Sequence, residues 1–167
     1  MAHEKVDLGK RLIAALIDGL VGGVLSGVFP FLGIGPLLGG AYTLTKDAIV
    51  FELLKDSSWK GQSVGKKVMR LKVTGPGGSD IDLGLSAKRN WPLALGYILS
   101  FLAAFMPGGM ILAFSGWSLV AGVSSIIGII EIALVFTDPQ GKRLGDRLAD
   151  TLVIEAPEEK RSAGHTF

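Results

Sequence analysis

The chain has 167 residues, 49% hydrophobic and 19% charged, with a mean hydropathy of +0.47; soluble domains carry about 25% charged residues. Residues 12–45 contain one charge, Asp18, and residues 90–137 contain one, Glu131; all 17 Lys and Arg lie in residues 1–11, 46–89 and 142–161. This segregation argues against a soluble enzyme, a disordered tail or a nucleic-acid module, and describes a multipass membrane protein.

From the N-terminus, a basic segment, Lys5 to Arg11, precedes the apolar run Leu12 to Phe29. That run exceeds the roughly 7–15 residues of a secretory signal core, and Asp18 interrupts it, so it reads as a retained first transmembrane helix over about 9–29. Pro30 and Pro36, within a glycine-rich stretch, mark a turn. A second helix follows over about 37–54, long enough to span only if Lys46 and Asp47 lie inside it.

Residues 55–90 form a basic loop with periodicity of its own. Val64, Val68 and Leu71 recur at helical spacing with Lys66, Lys67 and Arg70 on other faces, which predicts a short helix on the anionic leaflet. Met69, Leu71 and Val73 then alternate with polar residues as a strand does. Gly75 to Asp80 is a turn, Ile81 to Leu83 a candidate return strand, and Ser86 a candidate N-cap for the next helix. Helix three is placed at about 91–106, broken by Pro107-Gly108-Gly109, and helix four at about 112–136. Thr151 to Ile154 is strand-like and is expected to pair with 69–74 as a small cap; residues 156–167 read as a polar, disordered tail.

The expected fold is therefore an all-α membrane protein of four transmembrane helices with a small cytoplasmic loop and β element, a single domain over 1–155. The uncharged turns near 30–36 and 107–116 and the basic segments 55–90 and 142–147 place both termini in the cytoplasm of a multipass cell (inner) membrane protein. Trp59, Trp91, Trp117, Tyr42 and Tyr97 fall near helix ends, as interfacial aromatics do.

Few catalytic signatures survive inspection. Cysteine is absent, which excludes disulfides and thiol chemistry. His3 and His165 flank opposite termini and form no metal motif. Gly61-Gln62-Ser63-Val64-Gly65-Lys66-Lys67 has the wrong glycine spacing for a phosphate loop and lacks Ser or Thr after its lysine. No enzyme activity, cofactor, metal or nucleic-acid partner is expected; membrane lipids are. Gly19, Gly23 and Gly27 suit close helix packing, either in a homodimer or within one chain.

The chemistry lies in the charges inside the apolar stretches, each costing about 2.5–3.5 kcal/mol at a span centre. Arg11 and Asp18 are seven residues apart, within about 20° of one helix face but roughly 10 Å apart in height. Arg11 is thus expected to bias the field at Asp18 without touching it. Asp18, Gly22 and Ser26 make a small polar face; Ser124, Gly128 and Glu131 make another. Asp18, Asp47 and Glu131 fall at comparable depth and would form one acidic site facing Arg11 and Arg89. Such a site is either a cation or proton site or a structural network of ion pairs.

With these residues in view, the chain resembles the RDD family of membrane proteins, named for one arginine and two aspartates. Lys10 to Asp18 resembles the family's first helix, with Arg11 at its start and Asp18 in its middle. Lys46-Asp47 followed by Gly61 to Lys67 resembles the loop after its second helix, Arg89-Asn90 the start of its third, and Gly141 to Thr151 its closing segment. Asp146 is the first choice for the second signature aspartate and Asp47 its competitor; Asp150 stands where glycine is expected. The resemblance implies a small multipass protein for which transport has been proposed, with some members similar to sodium–proton exchangers. The leading expectation is an antiporter-like transporter of Na+ or H+, shared across a homodimer. The alternative is a non-transporting adaptor that docks a partner on its cytoplasmic face.

Overall fold

The computed structural model describes residues 5–27, 34–104, 122 and 125–157. It is mostly helical, with one small sheet. The elements are α1 (Leu8–Gly27), α2 (Ile34–Thr45), α3 (Ile49–Leu54), α4 (Val64–Val68), β1 (Leu71–Thr74), α5 (Leu83–Ala104), α6 (125–137), α7 (Leu144–Ala149) and β2 (Leu152–Glu155).

α1 is started by Asp7, whose Oδ1 accepts from the Lys10 amide at 2.8 Å. Its buried residues, Ala14, Asp18 and Gly22, step by four and define one face. That face meets α2 and α4, and α2 packs in turn on α5. Close approach at the triple junction is made by glycine: a Cβ on Gly22 would stand 3.0 Å from the Tyr97 hydroxyl, and one on Gly39 would stand 2.7 Å from Tyr97 Cε1 and 3.1 Å from Ser26 Cβ. Tyr97 of α5 is thus a packing residue between α1 and α2.

Two expected boundaries move. The second helix is not continuous over 37–54: α2 ends at Thr45, a turn occupies 46–48, and α3 restarts at Ile49. The cause is tertiary, because Lys46 and Asp47 turn inward to ionic partners and the Asp47 amide bonds Ser86 Oγ at 3.3 Å. Helix three begins at Leu83 rather than near Trp91. Asp82 caps it through the Leu85 amide at 2.7 Å, so Ile81 to Leu83 is no strand and Ser86 no N-cap. Ser86 instead sits inside α5 and donates to the Leu44 carbonyl at 2.9 Å. Of helix four, residue 122 and residues 125–137 are helical; the other positions of 112–124, Ser124 among them, lie outside the described residues, as does most of the tail.

The cap forms as expected. β1 and β2 are antiparallel, from Leu71 opposite Glu155 to Thr74 opposite Leu152. Leu71, Val73 and Val153 turn inward and join Val6, Ala14, Ala48 and Ile81 in a small apolar core. The Asp150 position is explained: it closes α7 at φ 50°, a left-handed conformation in which glycine is common and aspartate is tolerated.

Burial runs opposite to that of a water-soluble domain. Leu16, Leu20 and Val24 of α1, Leu102 of α5 and Ile126 and Ile129 of α6 are all more than half exposed, while Asp18, Asp47, Arg89, Glu131 and Asp146 are buried. Apolar side chains outside and charges inside suit a bundle surrounded by hydrocarbon. Among the described residues, no helix is long and apolar enough to cross a membrane. α2 has only 12 residues. α1 carries Lys10, Arg11 and Asp18 within its length, and α5 carries Lys88 and Arg89.

Candidate functional site: a buried chain of alternating charges

The buried charges meet at one end of the bundle, beside the β1–β2 cap. Asp18 of α1 is gripped by the start of α4. Its Oδ2 accepts from Ser63 Oγ at 2.6 Å and its Oδ1 from the Gly65 amide at 2.8 Å. Lys46 and Lys66 ammonium groups stand 3.6 and 3.7 Å from it, and Tyr42 donates at 3.4 Å. Gly65 is required here, because a Cβ would overlap the Ala14 carbonyl of α1.

Lys66 links Asp18 to Asp47, donating to Asp47 Oδ1 at 2.6 Å. The other Asp47 oxygen accepts from Arg89 Nη1 and from Asn90 Nδ2, each at 2.9 Å. Arg89 continues the chain to Asp146 of α7 through both Nε, at 3.1 Å, and Nη2. Asp146 also accepts from Arg11 Nη2 at 3.1 Å, and Arg143 Nε lies 3.4 Å away. Arg143 reaches on to Glu131 of α6, 3.9 Å from Oε2. The order Asp18, Lys66, Asp47, Arg89, Asp146, Arg143, Glu131 alternates in sign throughout. It ties α1, the turn between α2 and α3, α4, α5, α6 and α7 together.

For Asp146, burial by itself raises the carboxyl group's pKa. The Arg89, Arg143 and Arg11 guanidiniums outweigh it and hold the group well below the usual carboxylate range. Close approach of α7 to α5 again depends on glycine: a Cβ on Gly145 would overlap the Arg89 carbonyl.

The expected single acidic site is thus a chain of four carboxylates, each with a cation beside it, served by the five cations Lys46, Lys66, Arg89, Arg11 and Arg143. Arg11 does not serve Asp18: its guanidinium turns to Asp146 and to the Gly141 carbonyl. Of the three expected acids Arg89 pairs with Asp47, and its other partner is Asp146. Both candidates for the second signature aspartate therefore sit on one arginine. Ser26 lies against Gly39 in the helix interface, away from the charges. The expected short helix at 64–68 is present, but it does not lie on a surface with both lysines outward, because Lys66 is buried in the network. Lys46, Ser63, Lys66, Asn90 and Arg143 are site residues that charge position alone missed. The Gly61–Lys67 segment, useless as a phosphate loop, was the signal for Ser63 and Lys66. Among the described residues, no group of three His, Asp or Glu is placed to hold a metal ion.

Gly19, Gly23 and Gly27 differ from Gly22: no described atom would lie within 4 Å of a Cβ at any of the three.

No curated protein and no solved structure gives a significant match to the chain. One family description does, over residues 5–150, a stretch that holds Arg11, Asp18, Asp47, Arg89, Glu131 and Asp146. The chain is a membrane protein of the RDD family.

Proposed function

We propose that this protein exchanges protons or small cations such as Na+ across the membrane, with Glu131 as the carboxylate that changes partner. One observation carries the reading: among the described residues, Glu131 Oε2 is the buried carboxylate oxygen without a hydrogen-bond partner. Its near cation, Arg143, is at 3.9 Å and is shared with Asp146. A proton or cation arriving at Oε2 would satisfy it and release Arg143 toward Asp146. Asp18, Asp47 and Asp146, by contrast, have their oxygens occupied by hydroxyl, amide, lysine and arginine donors. They form the frame that holds the exchanging group.

In this proposal four helices span the bilayer, the network and the β1–β2 cap lie at the cytoplasmic end, and both termini are cytoplasmic. The inside-out burial supports it. A second copy would cover the Gly19, Gly23 and Gly27 face of α1, where no described atom would lie within 4 Å of a Cβ, and supply the walls that four helices lack. The adaptor reading is favoured by a different feature: the saturated aspartates make the cap a rigid platform on which a partner could dock.

Ion flux in proteoliposomes separates the two. Glu131→Gln keeps the shape, removes the exchangeable charge and is expected to abolish coupled proton or sodium flux without loss of folded protein. Unchanged flux in a folded Glu131→Gln protein, or no flux in the parent protein under any gradient, would sink the transport reading and leave the adaptor.

A further inference from the structure

The corner formed by α3, the turn after it and the end of α4 is not used by the ion-pair chain, yet it is organised. Lys55 and Lys60 both stand over the Phe51 ring, 6.0 and 5.2 Å from its centroid, and Lys67 stands over Trp59 at 5.5 Å. Lys67 also donates to the Ser58 carbonyl at 2.9 Å, which joins α4 to the Ser57–Trp59 turn. Around these cations Leu53, Leu54 and Val68 are 75%, 61% and 62% exposed. Of the acids nearby, Glu52 pairs with Lys55, Asp80 with Lys60 and Lys72, and Asp56 caps the Ser58 amide, which leaves four lysines against three carboxylates.

We infer that this corner is an anionic-phospholipid clamp, in which Lys55, Lys60 and Lys67 hold headgroup phosphodiesters while Leu53, Leu54 and Val68 enter the acyl boundary. Two features point to a leaflet rather than to a soluble anion. The cations sit on two aromatic faces, Lys55 and Lys60 on Phe51 and Lys67 on Trp59, rather than inside one pocket. They are also interleaved with large apolar side chains, which water disfavours and a bilayer boundary accepts. Anionic lipid complements the charge, since each lysine near such a surface gains from its negative potential. The break between α2 and α3 sets the corner apart from the ion-pair chain: α3 restarts at Ile49 after Asp47 has turned inward. The inference rests on the family's membrane location, not on ion exchange.

The test uses the full-length protein with Trp91→Phe and Trp117→Phe, leaving Trp59 as reporter. It is reconstituted in nanodiscs of phosphatidylcholine doped with brominated phosphatidylglycerol or with brominated phosphatidylcholine. Several-fold stronger quenching of Trp59 by the brominated phosphatidylglycerol is expected. The preference should vanish in Lys55→Gln/Lys60→Gln/Lys67→Gln, persist in Lys142→Gln, and fade in molar salt in the parent protein. Equal quenching by the two lipids overturns the clamp, as does a preference that survives both the triple variant and high salt. Loss of the preference on adding inorganic phosphate or glycerol 3-phosphate would reassign the corner to a free anion and also overturn it. Should the triple variant fail to fold, the salt titration of the parent protein decides alone.

Discussion

Arg11, near the start of α1, donates to Oδ2 of Asp146 in α7 at 3.1 Å, across 135 residues of chain. The two side chains are 9% and 1% exposed. Removing one member of a buried pair leaves the other uncompensated, a loss of about 3–5 kcal/mol. Arg11→Ala is therefore expected to lower the Tm markedly. Arg11→Lys should recover part of the loss, since an ammonium keeps the charge but cannot hold both Asp146 and the Gly141 carbonyl in a planar fork. A double-mutant cycle with Asp146→Asn should give a coupling above about 1 kcal/mol, in the range of residues that share a network. Strict additivity would refute a direct pair.

Asp18→Asn tests the frame. An isolated intramembrane aspartate would cost about 2.5–3.5 kcal/mol, so its neutralisation would stabilise the fold. Here Ser63, Gly65, Lys46 and Lys66 all address the carboxylate. Asn leaves two buried ammonium groups short of a counter-charge and puts an amide where an acceptor is needed. Destabilisation by about 3 kcal/mol or more is expected, with normal flux per folded molecule. An Asp18→Asn protein that is more stable and has lost flux would return the exchanging role to Asp18.

Acid should loosen the cap. An unfolded aspartate titrates near ~3.9, and Asp146 in the fold titrates well below the usual range, held there against burial by Arg89, Arg143 and Arg11. A depressed folded pKa adds stability that is complete above the unfolded value and is lost as pH falls toward the folded one. The Tm should therefore be insensitive to Asp146 from pH 7 to about 5 and drop below about pH 4. Comparison with Asp146→Asn isolates the contribution: the variant should start lower and show a shallower acid limb. Parallel acid limbs would contradict the assignment.

The glycine contacts predict a sharp contrast within one residue type. Gly145→Ala pushes a methyl group into the Arg89 carbonyl, and Gly65→Ala pushes one into that of Ala14. Each is expected to cost about 1–3 kcal/mol or more through overpacking, read as lost Tm and yield. Gly19→Ala meets no described atom, and alanine favours a helix by about 0.8–1.0 kcal/mol. It should leave monomer stability equal or higher, and any effect should appear in the oligomeric state.

Topology is open to single-cysteine labelling, since the chain has no cysteine of its own. Gln62 is a poor reporter at 4% exposure, whereas Ser57 and Gln140 are exposed. Cysteine at either is expected to react with an impermeant maleimide only in inverted vesicles. Labelling of intact cells or spheroplasts at Ser57 would reverse the orientation.

Local pattern was enough for much of this fold. Apolar runs and Pro–Gly breaks placed α1, the strand period placed β1 and β2, and the position of Asp18 within Leu12–Phe29 marked it as buried. These features depend on neighbours in sequence, or on the cost of a charge in hydrocarbon, so composition and spacing reveal them. Partner choice was not legible. Helical geometry correctly kept Arg11 from Asp18, but only the packing of α7 on α5, within reach of the Arg11 side chain, supplies Asp146 instead. The same packing decides the helix boundaries. Lys46 leaves α2 for Asp18 and Asp47 leaves it for Lys66 and Arg89, and Ser86, Arg89 and Asn90 stay inside α5 because Leu44, Asp47 and Asp146 satisfy them. A buried charge follows its nearest opposite charge in space, and for this chain those neighbours come from remote segments that meet only once the helices have packed.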